Sequence, residues 1–119
     1  MNLSNLFNNE TDITEVADGE VIFREGERGD AMYVVVAGSV TLSVRGIEIG
    51  HLEPGELFGE MALIDAEPRS ATATARGAGR IARVDERRFA FLVQQTPFFA
   101  LHVMRVLAAR LRHMDDTLH

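Results

Sequence analysis

Residues 58–75 read FGEMALIDAEPRSATATA. Glu60 and Arg69 stand nine residues apart, and most of their neighbours are small or apolar. Asp65 and Glu67 fall between them in a stretch that reads as a turn. Glycine followed by GEMAL predicts a short helix starting near Gly59 or Glu60. Its first N–H groups have no partner within the helix and carry partial positive charge, which suits a phosphate. Pro68 stiffens the backbone ahead of Arg69, whose guanidinium offers parallel donors to phosphate oxygens. A glutamate at the helix start offers acceptors to sugar hydroxyls. The alanines at 62, 71, 73 and 75 leave room for a group to approach the backbone. Two readings stand side by side. Glu60 and Arg69 pair with each other as a buried ion pair, or they hold the two ends of a phosphorylated ribose.

Composition narrows the classes. The chain has 119 residues, enough for one domain with its own core. Its formal net charge of −6 disfavours non-specific binding to nucleic acid or to an anionic membrane. All twelve basic residues are arginine, so no amine is available for Schiff-base chemistry. Cysteine is absent, which excludes disulfides, thiol catalysis and Cys-type zinc sites. No apolar run approaches ~18 residues. MNLSNLFNNETD lacks the pattern of a signal peptide, so the expected location is cytoplasmic. His51, His102, His113 and His119 form no i,i+4 pair and no H-x-H, so no metal site is expected. No nucleophile elbow and no GxxxxGK occurs, and a binding module fits better than an enzyme.

Upstream of the quoted stretch, glycines separate short β-rich pieces: VIF, AMYVVVA, SVTLSV, IEIGHL, SATATA and GRIARVD. Val40, Leu42 and Val44 alternate with Thr41 and Ser43, the period of a half-buried strand. MYVVV is apolar on both parities and predicts a strand covered on both faces. Arg45-Gly46 marks a hairpin turn. Short strands at such spacing indicate a sandwich or barrel. After Asp85 a helix is predicted over 86–95, and Thr96-Pro97 starts a second one. On it Met104, Leu107, Leu111, Met114 and Leu118 follow a 3,4 spacing, with Ala100 one step before. That seam packs on the body of the same chain or makes a two-stranded dimer contact. Leu3, Leu6 and Phe7 suggest a short amphipathic helical turn.

FGEMALIDAEPRSATATA closely resembles the phosphate-binding cassette of the cyclic-nucleotide-binding domain family, whose pattern is FGE-[LM]-[AG]-L, a short turn, then PR-[STA]-A-[TS]. GEVIFREGERGDAMYVVVAGSVTLSV and HLEPGELFGE are similar to the strands leading to that cassette. VDERRFAFLVQQTPFFALHVMRVLAARLR resembles the family's two C-terminal helices. The resemblance runs from about Ile13 to Leu118. It implies a mainly β fold with flanking helices, namely an eight-stranded antiparallel jelly-roll barrel with a C-terminal helical lid. The whole of 1–119 would be one domain, with the barrel over about 13–85, the cassette at 58–72 and the helices over about 86–118. Glu60 would accept from the ribose 2′-hydroxyl, and Arg69 would pair with the cyclic phosphate. Backbone N–H groups around Gly59, Met61, Ala62 and Ala71 would line the phosphate or ribose. Ser70 occupies the position that bears on base choice, which implies cAMP first and cGMP tolerated. Arg110, Leu111 and Met114 are the lid candidates. Bacterial regulators of this type carry a DNA-binding helix-turn-helix after the long helix, and this chain stops at His119. A stand-alone sensor and a module of a larger protein both fit. The implied function is a non-catalytic sensor, with a homodimer through the last helix and an effector protein as candidate partners. The alternative is an interaction module with a non-functional pocket that acts through the Met104–Leu118 seam.

Overall fold

The computed structural model describes residues 13–118, with side chains as far as residue 112. The turn around Leu3, Leu6 and Phe7 lies outside the described residues, as do the side chains of Met114 and Leu118. The chain divides into two compact units, Met1–Glu86 and Arg87–His119.

In the first unit β1 (Ile13–Val16), β2 (Val21–Phe23), β3 (Ala31–Val44), β4 (Ile47–Leu52) and β5 (Leu57–Phe58) precede a single-turn helix α1 (Glu60–Ile64) and β6 (Thr72–Asp85). The strands pair antiparallel in the order β1-β6-β3-β4, with β2 also on β6 and β5 also on β3. The described residues therefore form an open six-stranded sheet, where the resemblance implies a barrel of eight. The difference has a local cause. AMYVVVA and SVTLSV run on as one 14-residue strand, as do TATA and GRIARVD. The register between the two long strands slips at Val35/Ala37 and again at Ala37/Ser39. Such irregularities bend a strand without ending it.

Gly38 and Gly79 stand at this bend because the two strands approach too closely for side chains. A Cβ at Gly79 would lie 2.5 Å from the Ala37 carbonyl oxygen, and one at Gly38 would lie 2.9 Å from the Gly79 Cα. The hairpin joining β3 to β4 turns at Arg45 and Gly46, with φ of 50° and 80°. Positive φ at both central residues is the turn whose twist matches the flanking strands, as the Arg45-Gly46 pair predicts.

One face of the curved sheet carries Val16, Phe23, Val35, Val40, Leu52, Phe58, Ala73, Ala75 and Ile81 as a continuous core. Met32, Val34 and Val35 are fully buried, so the strand that is apolar on both parities is covered on both faces. The alternation over 40–44 is weaker than the sequence suggests: Val40 is buried, but Leu42 and Val44 are only partly so.

The second unit holds most of α2 (Glu86–Gln95) and all of α3 (Pro97–Leu118), at the predicted boundaries. At their junction the Phe99 N–H donates to the Thr96 carbonyl at 2.8 Å, and Phe89 meets Phe99 edge-on at 5.5 Å. Met104 and Leu111 of the predicted seam are exposed, whereas Leu107 is partly buried. Among the described residues, no helix is long and apolar enough to cross a membrane.

Candidate functional site

The site lies in the first unit, where β5 ends, α1 makes its one turn, and the chain returns to β6. Gly59 precedes α1 with φ 74° and ψ 16°, a left-handed conformation that glycine adopts without strain. Glu60 and Ala62 point inward and are buried, while Met61 is 45% exposed. The Asp65 N–H donates to the Met61 carbonyl at 2.8 Å and closes the turn. Ala66 then takes φ 57°, a left-handed position held here by a residue with a Cβ. Beyond it Ser70 is exposed and Ala71 is buried.

Arg69 is 6% exposed, an unusual burial for an arginine. Its side chain turns back across the start of the helix. Nη1 donates to the Gly59 carbonyl at 2.7 Å, and Nη2 donates to the Ala31 carbonyl at 2.8 Å. The guanidinium carbon sits 4.1 Å from the centre of the Phe23 ring and 5.6 Å from that of Tyr33. Nε is buried and has no hydrogen-bond partner. Burial lowers the Arg69 pKa from its ordinary value, and Tyr33, Asp30 and Glu27 oppose that shift. The ordinary value of an arginine is so high that the group stays charged at any physiological pH.

The backbone of Arg69 is held as firmly as its side chain. The Arg69 N–H donates to the Glu27 carbonyl at 2.8 Å, and the Gly26 N–H donates to the Arg69 carbonyl at 2.7 Å. Glu25 extends the contact, its N–H donating to Thr72 Oγ1 at 3.0 Å. The REGERGD loop and the PRSAT segment are thus laid edge to edge. Gly29 belongs to the same fit, since a Cβ there would overlap the guanidinium. A Cβ at Gly59 would lie 2.7 Å from Nη1.

The structure therefore brings Arg69 onto Gly59 at the start of α1; Glu60, Ala62 and Ala71 are buried, and Met61 and Ser70 are exposed. Arg110 lies on α3 in the second unit and is partly buried. Sequence reasoning missed Phe23, Tyr33 and the Ala31 carbonyl. The one sequence cue was Gly29, the second glycine of REGERGD, which the structure shows is needed for space beside Arg69 and not for a positive φ. Among the described residues, no cluster of histidine, aspartate and glutamate side chains could hold a metal ion.

Comparison with known proteins follows the same residues. The family model described as "Cyclic nucleotide-binding domain" matches residues 13–96. The chain is 30% identical over 105 residues to the CRP-like cAMP-activated global transcriptional regulator of Mycobacterium tuberculosis, covering 84% of this chain and 47% of that protein. It is 41% identical over 71 residues to the cGMP-dependent protein kinase of Eimeria tenella, covering 60% of this chain and 7% of the kinase. The chain thus spans less than half the length of these curated relatives. The crystal structure of Thermus thermophilus catabolite activator protein superposes with a TM-score of 0.81 at 34% identity, over 89% of this chain and 52% of that one.

Proposed function

Because the chain belongs to the cyclic nucleotide-binding domain family, we propose that it is a non-catalytic sensor of cAMP that also tolerates cGMP. The observation that carries the reading is Arg69: a buried guanidinium with an orphaned Nε, clasped at the mouth of a helical turn beside Glu60. A buried charge left short of partners costs stability, and a ligand that completes its hydrogen bonds recovers that cost. Only two of the guanidinium's N–H groups are given to the Gly59 and Ala31 carbonyls. The remaining ones suit the anionic oxygens of a cyclic phosphate. Glu60 takes the ribose 2′-hydroxyl, and backbone N–H groups near Gly59, Met61, Ala62 and Ala71 face the phosphate or ribose. Ser70 leaves either base acceptable.

Ligand binding acts by favouring one arrangement of the cassette. Only a difference in affinity between two states shifts their populations. In this reading 1–119 works as one domain in the cytoplasm. Its two long strands each stand for two strands of an eight-stranded jelly roll. Arg110, Leu111 or Met114 on α3 closes over the base. The exposed Met104 and Leu111 give α3 a surface for a second copy or for an effector.

Calorimetric titration with cAMP and cGMP tests the assignment, using the parent and Arg69→Ala. The parent binds both, cAMP more tightly. The variant loses at least about tenfold in affinity, which corresponds to ~1.4 kcal/mol. Equal affinity in the two proteins refutes the role of Arg69, and no binding to the parent refutes the sensor.

A further inference from the structure

Phe23 has no part in the assignment above, yet its ring is the nearest aromatic surface to the functional cation. It ends β2 and is 8% exposed. Its partner across the sheet is Ala73 of β6, two residues beyond Ala71, so strand pairing sets where the ring lies relative to the cassette. Tyr33 and Phe58 hold the ring from the side, with centroids 5.8 and 5.9 Å away, and these two stack on each other at 5.4 Å. The same ring reaches Gly59, where a Cβ would lie 3.1 Å from it. Gly59 in turn supplies the carbonyl that binds Nη1. Ring, guanidinium and carbonyl therefore form one contact.

A cation over an aromatic face is attracted by the ring quadrupole, and the attraction grows as water is excluded. The carbonyls of Gly59 and Ala31 fix the two terminal nitrogens of Arg69. They leave the guanidinium free to rock about the line joining those contacts. A ring at 4.1 Å restricts that rocking. We infer that Phe23 is a positioning residue for the anion site: its ring face sets the plane of the Arg69 guanidinium and so aims the donors that remain for a phosphate. The inference rests on the reading of Arg69 as the phosphate-binding group. An aliphatic residue at position 23 fills the core but supplies no quadrupole.

The test has two arms on the full chain. In the first, the Arg69 Nε–H resonance of the ligand-free protein is followed by 15N-resolved NMR in the parent, Phe23→Leu and Phe23→Tyr. The parent and the tyrosine variant show a proton displaced upfield by the ring and slow to exchange with water. The leucine variant returns it to the range of the other arginines. Phe23→Met replaces Phe23→Leu if the latter does not fold. In the second arm, cAMP affinity is measured for Phe23→Leu with Arg69 intact and with Arg69→Lys. The aromatic loss weakens binding about five- to tenfold beside arginine, within the span of a desolvated cation–π contact. It weakens binding less than about twofold beside lysine, where the aimed fork is already gone. Because the upfield displacement vanishes with the ring wherever the guanidinium lies, the exchange rate decides: an Nε–H that exchanges as slowly in Phe23→Leu as in the parent overturns the inference. So does an equal loss in both backgrounds, which marks a plain packing effect. If the parent binds no cyclic nucleotide, the sensor reading fails, while the NMR arm still decides whether Phe23 holds the guanidinium.

Discussion

Gly29→Ala separates the geometry of the Arg69 clasp from the fold that carries it. No positive φ is found at Gly29, so alanine meets no backbone strain there and space alone decides the outcome. The added methyl would sit 2.5 Å from the guanidinium carbon and from Nε, closer than van der Waals contact permits. The obstacle is the far end of a long side chain, which can move. Arg69 then leaves its place and gives up hydrogen bonds to two carbonyls, each of a kind worth about 1.5–3 kcal/mol where one partner is charged. The guanidinium regains water as it leaves, so the loss of stability is smaller than those bonds suggest, about 1–3 kcal/mol. For a chain of this length each kcal/mol is about 4 °C of melting temperature. The effect on binding is larger in proportion, because the displaced guanidinium no longer faces the phosphate. We expect cAMP affinity to fall by at least about tenfold, or ~1.4 kcal/mol. Calorimetric titration and a thermal melt on the same preparations read both effects. A Gly29→Ala protein that binds cAMP within about twofold of the parent refutes the argument that the guanidinium must lie where it does.

Three further outcomes test the scaffold. Gly79→Ala places a Cβ 2.5 Å from the Ala37 carbonyl, a backbone atom that cannot swing aside; urea denaturation should show a loss of about 2–3 kcal/mol or more. Ala66→Gly relieves a left-handed residue at φ 57°, and we expect a gain of about 0.5–1 kcal/mol in the same assay. Burial lowers the pKa of His102 below its ordinary 6.5, with nearby positive charge adding to the effect. The unfolded chain therefore binds more protons than the folded one between the lowered folded value and 6.5, so stability should begin to fall as pH drops below about 6.5 and level off once the folded histidine is protonated. A His102→Gln protein whose melting temperature keeps the same pH slope would contradict this.

Both C-terminal helices were legible at their boundaries, since Thr96-Pro97 is a stop and a start in two residues. The Arg45-Gly46 hairpin was legible for a similar local reason: its turn needs positive φ at both central positions. Strand number was not. Nothing in AGSVT or TARGAG distinguishes a turn that ends a strand from a bend that a strand passes through. The answer depends on how closely β3 and β6 approach at Gly38 and Gly79, which is a property of the pair. The seam on α3 was legible as a pattern. Of its members with described side chains, Met104 and Leu111 are exposed, and Leu107 is partly covered.

For the site, the sequence alone determined the cast: a glutamate at a helical turn, an arginine after proline, and small residues around both. Those features are local, because spacing along one short segment sets them. What Arg69 touches was decided only by the tertiary structure. Its two carbonyl partners come from Gly59 and Ala31, and its ring partner is Phe23. Ala31 and Phe23 lie on β3 and β2, far from Arg69 along the chain. A guanidinium reaches across such distances only after strands have paired, and pairing depends on the whole sheet. Of the contacts that hold Arg69, only the Gly59 carbonyl comes from the quoted stretch; Ala31 and Phe23 come from outside it.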